Sequence, residues 1–310
     1  MRLRKNLFRL LVASVVIAVL AAQTPGEPDW QTAAGGKMAF EVASVILAKP
    51  GAFPIPAFVW LDRGDTKPPG GRFSASFSLG TYIYFAYKLG GFQAMDMQAQ
   101  LPKWANDNYV INAKAEGNPT KDQMRLMMQS LLADRFKLRV HFESREVPVL
   151  AVTLVKPGKL GPKLVPHSEG PPCPDSFEIE KPFTPISPPK PGVTWPPQCG
   201  RIEQMGTRDG TWLGSRNTTM DLLASAIYNP QFGIDKPVVD QTGLKGRFDF
   251  VLTLPPGMIS LGPKPPNPDD PPPEPIVLKA LREQLGLKVV RSRGDVRTLI
   301  IDHVERPSEN

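Results

Sequence analysis

The sequence of 310 residues is long enough for one large or two ordinary domains, and its hydrophobic content of 41% supports a packed core. The formal charge of +7 falls to +3 if a basic N-terminal signal is removed, and no basic run follows, which argues against a nucleic-acid-binding protein. Proline is the outlier, with 36 residues, about twice the usual ~5%.

Residues 1–22 are predicted to be an export signal. A basic stretch precedes the apolar run Leu10–Leu20, and Ala21-Ala22 offers a small-residue cleavage site. Because the apolar run is shorter than the ~20 residues of a membrane span, cleavage is favoured over an uncleaved anchor. The mature protein is therefore expected to be periplasmic or extracellular, without a transmembrane domain. Residues 23–37 are interpreted as a polar tether.

Residues 38–165 are predicted to form a first α+β unit. Alternating or β-branched stretches predict strands over 40–47, 72–78 and 109–115. Ser78 is placed to begin a helix over 79–89, in which apolar residues recur at helical spacing.

The end of this unit is predicted to be a second helix followed by a hairpin. Thr120 and Gln123 form a capping box, which marks the start of the helix. The expected inner face consists of Met124, Met127, Met128, Leu131 and Leu132. A hairpin is predicted over 138–155, and Pro148 is expected on an edge because proline lacks a ladder donor.

Residues 166–206 are predicted to be a proline-rich insert closed by the two cysteines, Cys173 and Cys199. An even pair of cysteines in an exported chain argues for a disulfide. The alternatives are two free thiols or a metal site. A metal site needs further ligands, and His167 is the one nearby residue of that kind.

Residues 207–310 are predicted to form a second α+β unit. Thr218 is expected to cap a helix, and residues 248–254 are expected to form a strand. The stretch 255–275 is interpreted as a proline-rich surface loop. A helix from Pro275 to a left-handed cap at Gly286 and a hairpin that turns at Arg293-Gly294-Asp295 complete the unit.

The two units are interpreted as pseudo-repeats. Residues 133–155 align without a gap on the end of the chain, up to Val304. The aligned pairs are Phe136 with Leu285, Leu138 with Leu287, Val140 with Val289, Val147 with Val296, Leu150 with Leu299, and Val152 with Ile301. The predicted fold is therefore α+β, with two pseudo-repeats that each form an antiparallel sheet with packed helices and carry proline-rich loop insertions.

No catalytic or metal-binding motif is present in the sequence. Its three histidines, His141, His167 and His303, lack metal-ligand spacing, and the nucleophile-elbow, dinucleotide and phosphate-loop motifs are absent. We therefore expect no cofactor, no metal and no catalytic residue that the sequence can name.

Four residues are ligand candidates on residue type and position. Tyr82 belongs to an aromatic stretch that suits either a stacking platform or the core, and Trp104 and Arg247 are further candidates. Asp240 suits either a carboxylate site or a side-chain-capped turn. Asp249 is the second carboxylate candidate, but it alternates with phenylalanines on a strand and is therefore expected simply to face solvent.

Several stretches resemble a soil-associated family of exported proteins that has no assigned function. They include FEVASV at 40–45, MMQSLLADRFKL at 127–138, KPVVDQTGLKGRFDF at 236–250 and LREQLGLK at 281–288, and they extend over nearly all of the mature chain. The final unit is also similar to the short N-terminal domains of secretins and TonB-dependent receptors. In some relatives a similar domain follows a membrane metallopeptidase of the β-lactam-sensor type, which implies sensing.

Two functions are consistent with these observations. The first is a non-enzymatic binding or sensory module of the cell envelope, whose partner is an envelope protein or an extracellular ligand. The alternative is a hydrolase acting on envelope or extracellular polysaccharide, since a glycosidase needs two carboxylates brought together in space.

Overall fold

The computed structural model describes residues 29–49, 61–65, 70–173, 194–207, 210–230, 234–255 and 274–307. The predicted signal at 1–22, the first part of the tether, the centre of the proline-rich insert and most of the loop 255–275 lie outside the described residues.

The described residues alternate between helices and strands. The strands are β1 (Val42–Leu47), β2 (Arg72–Ser78), β3 (Asn108–Lys114), β4 (Arg139–Leu154), β5 (Leu164–Pro166), β6 (Ile202–Thr207), β7 (Gly210–Thr218), β8 (Val238–Asp240), β9 (Phe248–Leu254) and β10 (Leu287–His303). The helices are α1 (Asp29–Ala33), α2 (Leu79–Ala86), α3 (Gly91–Gln100), α4 (Lys121–Arg135), α5 (Met220–Ile227) and α6 (Ile276–Ala280), which continues as a π-helical turn over Leu281–Leu285.

These strands form three sheets that are mostly antiparallel, which confirms the predicted mixture of helices and antiparallel sheets. The first sheet has the order β1-β3-β2 and the second the order β5-β9-β7-β6. The third has the order β10-β4-β8, in which β8 runs parallel to β4. In the first two sheets the strand that leads into α4 or α6 lies between two others. Duplicated units would share this order, but the duplication itself stays a prediction.

The predicted hairpins at 138–155 and 287–304 do not form. The strand β10 runs without a turn through Arg293-Gly294-Asp295, and along its length it pairs antiparallel with β4. Each predicted hairpin is therefore one long strand, and its partner lies in the other half of the chain. The local pattern of apolar and polar residues is the same for both arrangements, and pairing between distant segments distinguishes them.

The register of this β4–β10 ribbon has a local two-fold symmetry. Glu146 pairs with Asp295, and the residues on either side exchange partners symmetrically about this pair. Val140 pairs with Ile301, and Val152 pairs with Val289. These are the residues that the sequence alignment equates, Val140 with Val289 and Val152 with Ile301. The pairing thus has the symmetry that is expected if the aligned residues of β4 and β10 occupy equivalent positions.

The ribbon connects two hydrophobic cores. The N-terminal core contains residues of α2, α4 and the first sheet, and Leu299 of β10 is buried in it. The C-terminal core contains residues of α5, α6 and the second sheet, and Val152 of β4 is buried in it. Each long strand therefore contributes its first half to the core of its own unit and its second half to the core of the other unit.

Pro148 lies on an open side of β4. Leu150 donates its N–H to the carbonyl of Pro237 next to β8, 2.8 Å away. Backbone groups two residues apart on a strand face the same way, so the nitrogen of Pro148 points to the β8 side. No described strand pairs with β4 at that point, since β8 begins opposite Leu150. A proline here costs no ladder hydrogen bond.

Helix ends follow the local sequence signals closely. The Thr120 hydroxyl accepts from the Gln123 N–H at 3.2 Å, and the Gln123 side chain accepts from the Thr120 N–H at 2.9 Å, which confirms the capping box. Gly286 has φ 69°, the expected left-handed cap. The cap of α5 is Thr219 and not the predicted Thr218, since the Thr219 hydroxyl accepts from the Leu222 N–H.

Candidate functional site

Two of the four candidate ligand residues belong to the N-terminal core. Tyr82 is fully buried, and its hydroxyl lies 2.9 Å from the carbonyl of Ala75 and 2.7 Å from that of Tyr109. Burial raises the pKa of this hydroxyl, so it stays protonated and holds β2 and β3 together. Trp104 packs against the same core, with the guanidinium of Arg306 5.8 Å from its ring centroid.

The other two candidates, Asp240 and Arg247, make polar contacts with other groups of the protein. The Asp240 carboxylate accepts from the Thr242 N–H at 2.8 Å and from its hydroxyl at 2.7 Å, which is the side-chain-capped turn that the sequence suggested. Arg247 pairs with Asp65 at 3.0 Å and donates to the carbonyl of Asn217. Of the four candidates, Asp240 alone lines a cavity described below.

A cleft of about 380 Å³ lies between α3, α5, β8 and β10, where the two halves of the chain meet. We call it the junction cleft. Its walls include Arg63, Gly90, Gly91, Phe92, Gln93, Asp221, Ser225, Tyr228, Asp240, Asp295 and Arg297. Its volume is within the range of about 300–1,000 Å³ that is usual for small-molecule sites, which often lie between structural units.

The junction cleft combines aromatic and charged side chains. The rings of Phe92 and Tyr228 meet edge to face with their centroids 5.8 Å apart. On the wall formed by α5, Arg63 pairs with the exposed carboxylate of Asp221 at 2.9 Å. Asp295, at the centre of the β4–β10 ribbon, is exposed. The cleft thus offers an apolar ring surface with hydrogen-bond acceptors and donors around it.

A larger hollow of about 790 Å³ lies over the first sheet and is lined by three consecutive residues from each of its strands. Its polar groups largely satisfy one another. The Ser74 hydroxyl donates to the Asn112 side chain at 2.7 Å, and Lys114 pairs with Glu41 at 3.3 Å. We place the candidate binding site in the junction cleft, because an aromatic pair and residues from both halves of the chain line it.

A buried charge cluster, which sequence reasoning missed, ties segment 61–65 to α4. Arg125 is completely buried, and its guanidinium donates to the carbonyl oxygens of Asp62 at 3.0 Å and Gly64 at 2.6 Å. One helical turn earlier, the ammonium of Lys121 lies 2.5 Å from the Asp62 carboxylate. Both cations sit at i and i+4 beside the buried methionines, a spacing that places them on one face.

Burial lowers the pKa of Lys121 to about 8, and the nearby Asp62 carboxylate only partly opposes this shift. Lysines with lowered pKa values occur in active sites, but structural ion pairs produce them too. Here the ammonium is bonded to Asp62 and has no open surface. We therefore assign the cluster a structural role.

The second sheet holds a polar site around the disulfide. Cys173 and Cys199 are bonded to each other, which confirms the predicted bridge. Asp249 was expected to face solvent, and this is wrong: it is 8% exposed, and the segment that contains His167 covers it. The Asp249 carboxylate lies 2.7 Å from His167 Nδ1 and accepts from the Asn217 N–H at 2.8 Å.

On its other side the His167 ring faces the disulfide, with Nε2 3.4 Å from Cys173 Sγ. Ligand atoms of His167, Cys173 and Cys199 lie within 4.8 Å of one another, a grouping that in general suits a metal ion. Because the two sulfurs are bonded to each other, they do not offer the thiolates that zinc requires. The sequence contained a signal for this site, since His167 precedes the cysteine pair, but not for the contribution of Asp249.

Within the described residues, no helix has the length and apolar character needed to cross a membrane. Comparison with protein families matches residues 80–304 to a family described as a protein of unknown function (DUF3738). No curated protein and no solved structure matches the chain. Because the match extends over more than half of the 310 residues, the protein belongs to the DUF3738 family of unknown function.

Proposed function

We propose that this protein is an exported, non-enzymatic binding or sensory module of the cell envelope, and that it binds a small, hydroxyl-rich ligand in the junction cleft. The observation that supports this most is the cleft itself, in which an aromatic pair lies among carboxylates and guanidinium groups. A disulfide and an N-terminal sequence typical of an export signal support a location outside the cytoplasm.

The position of the cleft suits a sensor. Its walls come from both units that we propose to be duplicated, 38–165 and 207–310, and the β4–β10 ribbon that joins them forms one wall. A ligand that contacts both units binds one relative arrangement of them better than another, and this differential affinity shifts their equilibrium. Ligand binding would in this way change the conformation of the rest of the molecule without a catalysed reaction.

We do not propose the hydrolase alternative, because the aromatic and carboxylate side chains that suggested it do not converge on one site. The aromatic stretch of α2 packs in the N-terminal core, and Tyr82 and Phe85 in it are fully buried. Asp249 bonds His167 below the protein surface, and Asp240 caps its own turn.

A thermal-shift screen of the mature chain against monosaccharides and short oligosaccharides tests the proposal. We expect a compound that raises the melting temperature of the wild type, and we expect Tyr228→Ala and Asp295→Asn to weaken its binding at least about tenfold, the effect of losing roughly 1.4 kcal/mol of contact. Asp134→Asn is the matched control, since Asp134 is exposed on α4 away from the cleft. Unchanged binding in both cleft variants would place the site elsewhere.

The same screen separates binding from turnover. A saccharide that is cleaved, with cleavage lost when a cleft carboxylate is replaced by its amide, would favour the hydrolase and contradict the binding module. A saccharide that binds and is recovered intact supports the module.

A further inference from the structure

The Cys173–Cys199 disulfide lies beside a histidine and a carboxylate, which a purely structural bridge does not need. His167 Nε2 lies 3.4 Å from the sulfur of Cys173, and His167 Nδ1 lies 2.7 Å from the Asp249 carboxylate. An ordered series of carboxylate, imidazole and sulfur is the arrangement by which enzymes activate a nucleophile or protonate a leaving group.

The surroundings hold this series in place. The backbone N–H of His167 donates to the Arg247 carbonyl at 2.8 Å, which fixes the main chain at His167. The Asp249 carboxylate also accepts from the backbone N–H of Asn217 at 2.8 Å, so it is held toward the imidazole. A methyl group on Gly170 would come 2.3 Å from an Asp249 oxygen, so the chain passes directly over the carboxylate.

The cysteine is fixed as well. The guanidinium of Arg216, a residue 5% exposed, donates to the carbonyl oxygens of Pro171 at 2.6 Å and Pro172 at 2.7 Å, directly before Cys173. The Asn217 amide lies 3.6 Å from the same sulfur. Both cysteines are nevertheless partly exposed, which leaves the bridge open to a small reagent.

We propose that this disulfide is a thiol–disulfide exchange site for a low-molecular-weight thiol, in which His167 is the proton donor to Cys173 and Asp249 is its positioning residue. The assignment of the two sulfurs follows from the contacts. Cys173 lies beside the imidazole and is the leaving group, because a nearby imidazolium stabilises a thiolate. Cys199 is therefore the sulfur that is attacked.

The exchange proceeds in two steps. A thiolate attacks Cys199 Sγ and forms a mixed disulfide, and the electron pair of the broken S–S bond moves to Cys173 Sγ, which takes a proton from His167 Nε2. A second thiolate attacks the thiol-derived sulfur of the mixed disulfide. It releases the symmetrical disulfide of the thiol and the Cys199 thiolate, which takes a proton from solvent. Two thiols are oxidised, and the protein bridge gains two electrons.

The first test is the rate at which glutathione reduces the bridge in the full mature chain at pH 6, followed by counting free thiols. We expect His167→Gln to slow reduction by roughly 100-fold or more, the usual effect of losing a positioned proton donor. Asp249→Asn should slow it less and should alter its pH dependence, because the imidazole loses its orienting partner. His141→Gln is the control, since His141 also bonds a carboxylate, Asp302 at 2.8 Å, but on the ribbon.

The second test needs no variant, so it remains informative if a substitution impairs folding. Glutathione adducts trapped on the wild type should lie on Cys199. After full reduction, iodoacetamide at pH 6 should modify Cys173 at least about tenfold faster than Cys199, because the neighbouring His167 can take the proton back from the Cys173 thiol and pair with the thiolate that reacts. Adducts on Cys173, equal alkylation of the two cysteines, or a His167→Gln variant reduced as fast as the wild type would each overturn the proposal.

Discussion

At the scale of single residues, Lys121 has a buried ammonium group, and the loss of hydration destabilises its charged form. It is 3% exposed, and its partner Asp62 compensates for the lost hydration only in part, so its pKa falls from 10.5 to about 8. Between these two values the folded chain has released the proton and the unfolded chain still holds it. The unfolded state then binds more protons, and stability rises with pH.

We therefore expect the free energy of unfolding to increase by about 1.5 kcal/mol between pH 8 and pH 9.5, through Lys121 alone. The range ends below the ordinary titration of tyrosine. Urea unfolding at several pH values measures this, and Lys121→Met should remove the increase. Lys279→Met, at an exposed position on α6, should retain it. An equal slope in wild type and Lys121→Met would show that Lys121 stays charged.

Asp249 shows where residue-level reasoning from sequence fails. Its alternation with Phe248 and Phe250 correctly predicted a strand, but the assumption that the other face meets water was wrong. The segment containing His167 comes from outside β9 and covers that face. For Tyr82, in contrast, the sequence left two interpretations, a stacking platform for a ligand or a place in the core. The structure buries Tyr82 in the core, which is the interpretation that amphipathic spacing on a helix favours.

At the scale of elements, the close approach of Gly161 and Gly286 fixes the end of the last helix. The Gly161 N–H donates to the Leu285 carbonyl at 2.9 Å, and a Cβ on Gly161 would lie 2.3 Å from the Gly286 nitrogen. The two backbones touch with no space for a side chain. Sequence predicted the left-handed conformation of Gly286 from its position after the helix, but it gave no signal for its neighbour.

We expect Gly161→Ala to lower the free energy of unfolding by about 2–3 kcal/mol, the usual effect of forcing an atom into a packed region. Gly206→Ala is the matched control, because a Cβ there meets nothing within 4 Å. Guanidinium unfolding of both variants compares them directly. A Gly161→Ala variant as stable as Gly206→Ala would mean that the two backbones separate easily.

Helices and caps were more predictable than strand partners, for a physical reason. The capping box at Thr120 and the strand Arg72–Ser78 depend on neighbours in sequence, and both were predicted correctly. Whether residues 287–303 fold back on themselves or pair with β4 depends on a segment far away in the chain. The junction cleft and the Asp249–His167 pair are also assembled from segments that are distant in the chain, so the sequence could not predict them.

At the scale of the whole molecule, the two halves are interlocked. Val152 is buried in the C-terminal core, and Leu299 is buried in the N-terminal core, so part of each core comes from a strand of the other half. The division into 38–165, 166–206 and 207–310 stays a proposal about sequence organisation. It does not describe units that complete their own cores.

We accordingly expect residues 38–165, expressed alone, to show no cooperative thermal unfolding transition. The β4–β10 pairing and the apolar contacts of Leu299 and Ile301 are missing from this fragment. Circular dichroism during heating tests this. A full chain nicked at an inserted protease site within 180–190 is the control, and it should unfold cooperatively because both long strands are retained. A cooperative transition in the isolated fragment would contradict the interlocked arrangement.

The β4–β10 ribbon also sets the order of events during synthesis. The residues of β4 leave the ribosome early, and their partners are well over a hundred residues further along the chain. The N-terminal core therefore stays incomplete until the residues around Leu299 are available to close it. Contacts between such distant segments slow folding, and an incomplete core exposes apolar surface in the meantime. The N-terminal core is therefore completed late, when β10 pairs with β4 and brings Leu299 into it.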